Sequence, residues 1–486
     1  ALAMPCGGKG MCGKCRVRVV RGRLPVTPED KRIFSEAQLA QGWRLACKAV
    51  TREAVEIVVP VQEQQGFSAL AAEAADEGAL SLAADHDYGL AVDIGTTTLA
   101  AALVDCTDGK ILATATAVNS QRSFGADVVS RIGAACHGKG KALQKAVRRD
   151  LTRLMKQLLK DHPGTAARCR QMAIAANTTM LHLLMGWPCD GLGDWPFHPV
   201  SLGGKTYRAQ EVLGPQSPLA DATVTLLPGM STYVGADITA GIWQCGLASS
   251  DDVSLFVDLG TNGEMVLGNK DQRFIASAPA GPALEGGKLT WGTGSVPGAI
   301  CGVRIERGRA KVRTIDHTVP VGICGTGILE AMAGLVREGL VDETGKLVEP
   351  YFHKGFPLAS TLDYQRITLS QQDIREIQMA KSAIRAGIES LIERSGISRQ
   401  RVHQVFLAGG FGYYLDPQKA AVIGLLPADL AERTTAVGNT SLKGAIGLLT
   451  GAVTLEELQA IAAGAEEIVL GNDEAFQRLY IDYLNF

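Results

Sequence analysis

Four cysteines crowd the start of this chain at a spacing that suits metal chemistry. Cys6, Cys12 and Cys15 lie in CGGKGMCGKC, and Cys47 follows in WRLACKAV. Three thiolates from one loop and a fourth from a distant segment can hold a [2Fe–2S] cluster. The loop glycines Gly7, Gly8, Gly10 and Gly13 fit that chemistry, because a loop around a cluster takes unusual backbone angles and turns N–H groups toward the sulfurs. Zinc is the rival reading. Zinc ribbons usually carry two Cys-x-x-Cys pairs, and here only Cys12 and Cys15 form one. The other seven of the eleven cysteines (Cys106, Cys136, Cys169, Cys189, Cys245, Cys301, Cys324) are scattered through Ala- and Gly-rich sequence and read as small, buried, reduced side chains. The eight histidines form no metal-spaced set.

Three further segments suit phosphate and nucleotide. In the turn Asp93-Ile-Gly95-Thr96-Thr97, glycine lets the backbone approach a ligand. The N–H groups and threonine hydroxyls can face phosphate oxygens, and Asp93 can hold Mg²⁺ through water. Asp258-Leu-Gly260-Thr261-Asn262-Gly263-Glu264 repeats the arrangement and adds a carboxylate. VFLAGGFGYYLD runs from a strand into Gly409-Gly410, where bare backbone can lie against adenine or ribose. No GxxxxGK[ST] loop is present, which excludes a P-loop NTPase.

These groups need a scaffold, and the sequence is long enough to supply one. It has 486 residues, 46% of them hydrophobic and 20% charged, enough apolar material for roughly three domains. A net charge of −2 argues against general nucleic-acid binding. No apolar run of membrane-spanning length occurs, and the opening ALAMPCGG is not a signal peptide. A cytoplasmic protein is expected. Residues 1–60 are basic, with eleven Lys/Arg against five acids, whereas 61–88 hold no Lys or Arg, six acids and eight alanines. The latter is linker composition. From Tyr88 onward, short β-branched runs alternate with helical stretches, the pattern of an α/β domain. GLAVDIGTTTLAAALVD reads as strand, turn, strand; KALQKAVRRDLTRLMKQLLKDH reads as an amphipathic helix ending before Pro163. LAVDIGTTTL (90–99) and LFVDLGTNGE (255–264) form a weak internal repeat, which predicts two related α/β halves facing each other. The expected divisions are 1–60, a linker at 61–88, one lobe at 89–248 and a second at 249–486.

The cluster loop resembles the ferredoxin variant with five residues in its first Cys gap, as in adrenodoxin-like proteins. Such domains begin with a β-hairpin and a helix, so the resemblance implies a β-grasp domain lacking its initial strands. In their order, the three Gly-rich segments resemble the two phosphate motifs and the adenosine motif of the acetate and sugar kinase, heat-shock chaperone and actin superfamily. The combination resembles the reductive activators of corrinoid proteins. So do NSQRSFGADVVSRI (119–132), NTTMLHLLMG (177–186), MSTYVGADITAGI (230–242), APAGPALEGG (278–287), GICGTGILEAM (322–332), QMAKSAIRAGI (378–388) and GNTSLKGA (438–445). The fold this implies is α/β: a two-lobed actin-like ATPase with ribonuclease H-like halves, preceded by the truncated ferredoxin-like domain.

The activity it implies is ATP-dependent, one-electron reduction of inactive cobalt(II) to cobalt(I) in a corrinoid methyl carrier. In this reading Cys6, Cys12, Cys15 and Cys47 carry the electron. Thr96, Thr97, Gly260, Thr261 and Asn262 hold phosphates, Asp93 and Asp258 organise Mg²⁺, and Asp258 or Glu264 positions the attacking water. The magnitudes are ordinary. A plant-type cluster sits near −400 mV; cobalt about 100 mV lower is roughly 50-fold uphill at 59 mV per tenfold, which ATP-dependent conformational coupling can offset. The implied partners are a corrinoid protein, a low-potential electron donor and a second copy of the chain. Competing readings are an activator of another low-potential metalloenzyme, for which Cys301 and Cys324 would be cluster ligands, a small-molecule kinase with a redox-sensing domain, and a chaperone-like ATPase clamp. The basic residues Lys9, Lys14, Arg16 and Arg18 around the cluster loop could meet an acidic partner, but read first as charge that solubilises the loop.

Overall fold

The computed structural model describes residues 10, 15–51, 53–59, 86–215, 217–219, 221–409, 415–471 and 473–486. Cys6, Cys12, Gly410 and nearly all of the expected linker lie outside them. The first domain carries a three-stranded sheet of β1 (Arg16–Arg21), β2 (Trp43–Leu45) and β3 (Glu56–Val58), with β1 in the centre. The alternating run CRVRVVRG forms β1, and WRLACKAV returns as β2 antiparallel to it.

The remainder is built on two six-stranded sheets. The first contains β4 (Tyr88–Ile94), β5 (Thr98–Asp105), β6 (Ile111–Val118), β7 (Cys169–Ala176), β8 (Lys205–Arg208) and β9 (Thr223–Leu226), in the order β6-β5-β4-β7-β9-β8. The second begins with β10 (Val253–Leu259), β11 (Gly263–Gly268) and β12 (Arg273–Ala278). A small sheet follows, made of β13 (Ala299–Glu306), β14 (Arg309–Thr314) and β15 (Gly322–Ile323), then a hairpin of β16 (Phe356–Ser360) and β17 (Arg366–Leu369). β18 (Val402–Ala408), β19 (Thr434–Gly438) and β20 (Ala465–Glu467) complete the second large sheet, ordered β19-β18-β10-β11-β12-β20.

The internal repeat is a repeat of topology. β4 pairs antiparallel with β5 and parallel with β7; β10 pairs antiparallel with β11 and parallel with β18. Both central strands are near-continuous apolar runs, as burial on two faces requires. The predicted amphipathic helix spans Gly140–Asp161 and buries Leu143, Val147, Leu151, Leu154 and Leu158 on one stripe.

Between the sheets lies a shared core. The first sheet contributes the small residues Ala91, Ala100, Ala102, Ala173 and Ala175, and the second Phe256, Val266, Ile275 and Ala408. Small side chains on one face make room for two helices, Ala236–Gln244 and Thr440–Leu449. These helices cross so closely that a Cβ at Gly444 would sit 2.3 Å from Ala240 Cβ, and one at Gly447 would sit 2.3 Å from the Trp243 ring. Thus a helix from the C-terminal part of the chain packs against β4 and β7, and its N-terminus reaches the end of β4. Among the described residues no helix is long and apolar enough to cross a membrane.

Candidate functional site

The carboxyl ends of β4 and β10 point into one cleft, the place where open α/β sheets leave room for a ligand. Asp93, Gly95, Thr96, Thr97, Asp258, Gly260, Thr261, Asn262, Glu264 and Gly409 all line it. Gly263 does not. It pairs with Leu259 and the Cβ it lacks would face the core, 2.9 Å from Ile384 Cγ1.

The first turn is held from several directions. Gly95 N donates to Thr98 O at 3.0 Å, and a Cβ on Gly95 would meet that same oxygen at 2.6 Å. Asn119 Nδ2 donates to Gly95 O at 2.9 Å. Asn177 caps the helix Thr178–Met185 through Oδ1 while its Nδ2 donates to Thr96 Oγ1 at 3.1 Å. The fully buried Arg131 donates from Nη2 to Thr96 O at 2.6 Å and from Nε to Gly125 O at 3.0 Å. Burial pushes this guanidinium down to about 9.

The second turn is one residue shorter. Asp93 lies opposite Ala100, whereas Asp258 lies opposite Glu264. A hairpin shortened by one residue alternates its side chains differently, so Glu264 takes the place of Ala100 and projects beside Asp258. It is buried and lines the cleft. Gly409 ends β18 at φ +112°, where a Cβ would meet Leu259 O at 2.7 Å and Asp258 Oδ1 at 3.1 Å.

Two further carboxylates complete the lining and were not read from the sequence: Asp237, in the first turn of the helix Ala236–Gln244, and Glu285, in the turn Pro282–Glu285. Asn439 and Ser441, at the N-terminus of the helix Thr440–Leu449, were missed too. Asn439 Nδ2 donates to Asp93 Oδ2 and Ser441 Oγ to Asp93 Oδ1, at 2.8 Å each. All four fall within stretches quoted above for their family resemblance, the one signal that pointed to them.

Five carboxyl groups therefore share a cleft with no lysine or arginine among its described lining residues. Burial raises all five, and repulsion from neighbouring carboxylates adds to it at Asp237, Asp258 and Glu264. Asp237 is pushed up to about 7, by burial first and then by Asp93. Asp258 is held well above the usual range by burial, Asp237, Asp93 and Glu285. Glu264 is raised by burial, Asp237 and Asp258. Asp93 is raised by burial against the opposing effect of its two hydrogen bonds. Such a donor set wants a hard cation with oxygen ligands.

In the first domain, buried Cys15 precedes β1 and half-buried Cys47 follows β2. Ala46 N donates to Cys15 O at 2.8 Å, so the two cysteines lie just beyond the adjoining ends of β1 and β2. Asp30 pins the return strand, accepting from Leu45 N at 2.7 Å. Gly10 has φ +74° and a Cβ there would lie 2.8 Å from Glu29 and Lys48, which only glycine tolerates. These residues fit a cluster cradle; Cys6 and Cys12 lie outside the described residues. The scattered cysteines divide: Cys169, Cys189 and Cys324 are buried, Cys106, Cys245 and Cys301 half-buried, and Cys136 exposed, contrary to the uniform burial expected. Cys136 stands at the kink before the helix Gly140–Asp161, where Gly138 takes φ +82°. Cys324 caps the helix Gly325–Arg337 and its thiol donates to Ile300 O at 3.3 Å.

Comparison with known proteins bears on this pairing of sites. Residues 1–52 match the 2Fe-2S iron-sulfur cluster binding domain, 88–250 the RACo middle region, and 252–486 the C-terminal domain of RACo, the ASKHA domain. The corrinoid activation enzyme RamQ of Eubacterium limosum is 33% identical over 415 residues, covering 81% of this chain and 69% of that protein. The chain belongs to the family of reductive activators of corrinoid proteins. A second member, the [Co(II) methylated amine-specific corrinoid protein] reductase of Methanosarcina barkeri, is 25% identical over 431 residues, covering 82% of this chain and 77% of its own. A solved structure, "Reductive activator for corrinoid,iron-sulfur protein", superposes with a TM-score of 0.78 at 29% identity, covering all of this chain and 93% of the other. The family thus combines a 2Fe–2S domain with an ATP-binding ASKHA fold, as the sequence predicted.

Proposed function

We propose that this chain uses ATP to drive one-electron reduction of an inactive cobalt(II) corrinoid protein to cobalt(I). The observation that carries the reading is the fusion itself, a 2Fe–2S domain and the two RACo regions on one chain. The names of the relatives support this reading and lend nothing to an activator of a different metalloenzyme or to a small-molecule kinase.

Cys6, Cys12, Cys15 and Cys47 would hold the cluster, which when bound supplies electrons one at a time at low potential. Thr96, Thr97 and Thr261 would offer hydroxyls, and Gly260 and Asn262 backbone or amide donors, to phosphate oxygens; Gly95 and Gly409 leave the approach clear. Asp93 and Asp258 head the two turns of the cleft, and Mg²⁺ held through water would offset the burial that raises both and the neighbouring charge that adds to it at Asp258. Either Asp258 or Glu264 would orient the attacking water. Because nucleotide would touch turns from two lobes, its binding favours one lobe arrangement over another by its differential affinity for them, and nothing more is needed for coupling. The reading includes a cytoplasmic location, a separate low-potential electron donor and a homodimer, with neither nucleic acid nor membrane as partner.

Phosphate release tests the reading against its kinase rival. Hydrolysis should rise when a corrinoid protein is added and stay flat with sugars or small acids. Transfer of the terminal phosphate to a small acceptor would overturn it.

A further inference from the structure

Thr97 and Thr261 belong to turns in different lobes, yet both hydroxyls donate to a single atom, Oε2 of Glu285, at 2.8 Å each. A threonine hydroxyl has one proton to donate. Neither can serve a phosphate oxygen while it serves Glu285, and a carboxylate at that spot also repels an incoming phosphate.

Glu285 is fixed there by its backbone. It closes a short turn between Gly281 and Gly286, at φ +71° and +79°. A Cβ at Gly286 would lie 2.6 Å from Thr293 O, so the chain runs too close there to shift easily. Arg131 draws on the Glu285 carboxylate electrostatically while its own guanidinium is committed to Thr96 O and Gly125 O. The first turn is therefore bracketed between Arg131 and Glu285.

We propose that Glu285 is a positioning residue that clasps the two phosphate turns together across the lobes, and that nucleotide phosphate displaces it from both threonines. This rests on the reading of Thr97 and Thr261 as phosphate ligands. Release of the clasp is then the event by which an occupied cleft differs mechanically from an empty one. ATP binding and the relation of the lobes are linked through one carboxylate.

Calorimetric titration of the whole protein with Mg-ADP tests the clasp. Glu285→Gln keeps the shape but offers a neutral, weaker acceptor and no repulsion, so affinity should rise about tenfold. Glu285→Met, which fills similar space without an acceptor, should also tighten binding and serves if the first variant does not fold. Thr97→Val and Thr261→Val should each weaken it. Unchanged or weaker binding in the Glu285 variants, with Thr97→Val weakened, overturns the clasp and leaves the turns as phosphate ligands. Unchanged binding in both threonine variants overturns the phosphate reading and the clasp with it. A loss of hydrolysis in Glu285→Gln at unaltered affinity makes Glu285 a catalytic group and also overturns the clasp.

Discussion

Asp237→Asn probes the charge crowding in the cleft with the smallest change of shape. In the folded protein the Asp237 carboxyl is pushed up to about 7, from an ordinary value of 3.8. Between those values the folded chain holds a proton that the unfolded chain has given up. The associated stability is fully present below about pH 3.8 and is lost as pH rises through 7, at about 1.4 kcal/mol per pH unit and about 4 kcal/mol in all. Asparagine carries no such proton, so the variant should gain on the parent as pH rises. From pH 5.5 to pH 8 the loss runs only as far as 7, and the gap should widen by about 2 kcal/mol. For a unit of 150–250 residues that is a relative gain of about 4–8 °C in Tm. Because Asp237 also raises Asp258 and Glu264, its removal relieves them as well, in the same direction. The assay is a pair of thermal scans in chelator without nucleotide, at the two pH values. A Tm difference that is identical at both would refute the argument that the cost of ionising a buried, crowded carboxyl, and not packing, governs this residue.

Asp93→Ala strips the acceptor from Asn439 and Ser441. Each orphaned donor costs about 1–3 kcal/mol, and the ATP effect on cobalt reduction should vanish with the cluster's visible spectrum intact; a bleached cluster would show that the two sites are coupled in a way not described above. Cys47→Ser, and Cys12→Ser likewise, should abolish cobalt reduction while nucleotide titration remains that of the parent, and equal reduction would remove these thiols from the electron path. Gly409→Ala forces a Cβ against Leu259 O and Asp258 Oδ1 at a left-handed φ. A lowered denaturant midpoint worth about 1–3 kcal/mol and weaker nucleotide binding should follow, and a parent-like midpoint would contradict the placement of that strand end.

Much of the site was legible because its motifs are local. The cysteine loop and the two Asp-Gly-Thr turns are each complete within about ten residues, and the chemistry they suit depends on residue type and spacing. What the sequence concealed depends on long-range packing. Asn439 reaches Asp93 across 346 residues of chain, and Glu285 meets Thr97 across 188. Neither contact has a local signature, so the resemblance of GNTSLKGA and APAGPALEGG to a family flagged the stretches without revealing the roles. The register of the second turn was concealed for a different reason. Read as text, the repeat sets Glu264 against Leu99, but the shorter second hairpin shifts the register by one. That shift turns Gly263 to the core and Glu264 to the cleft. The doubled topology was legible, since an apolar strand ending in Asp recurs; the alanine face that lets the lobes share two helices was visible only once the sheets were paired.

The most direct test is anaerobic. A cobalt(II) corrinoid protein, cluster-loaded activator and a low-potential reductant are mixed, and the cobalt(II) paramagnetic signal is followed with and without Mg-ATP. Loss of the signal only when activator and ATP are both present is the expected result. A persistent signal, with ATP consumed and the cluster intact, would contradict the reductase assignment.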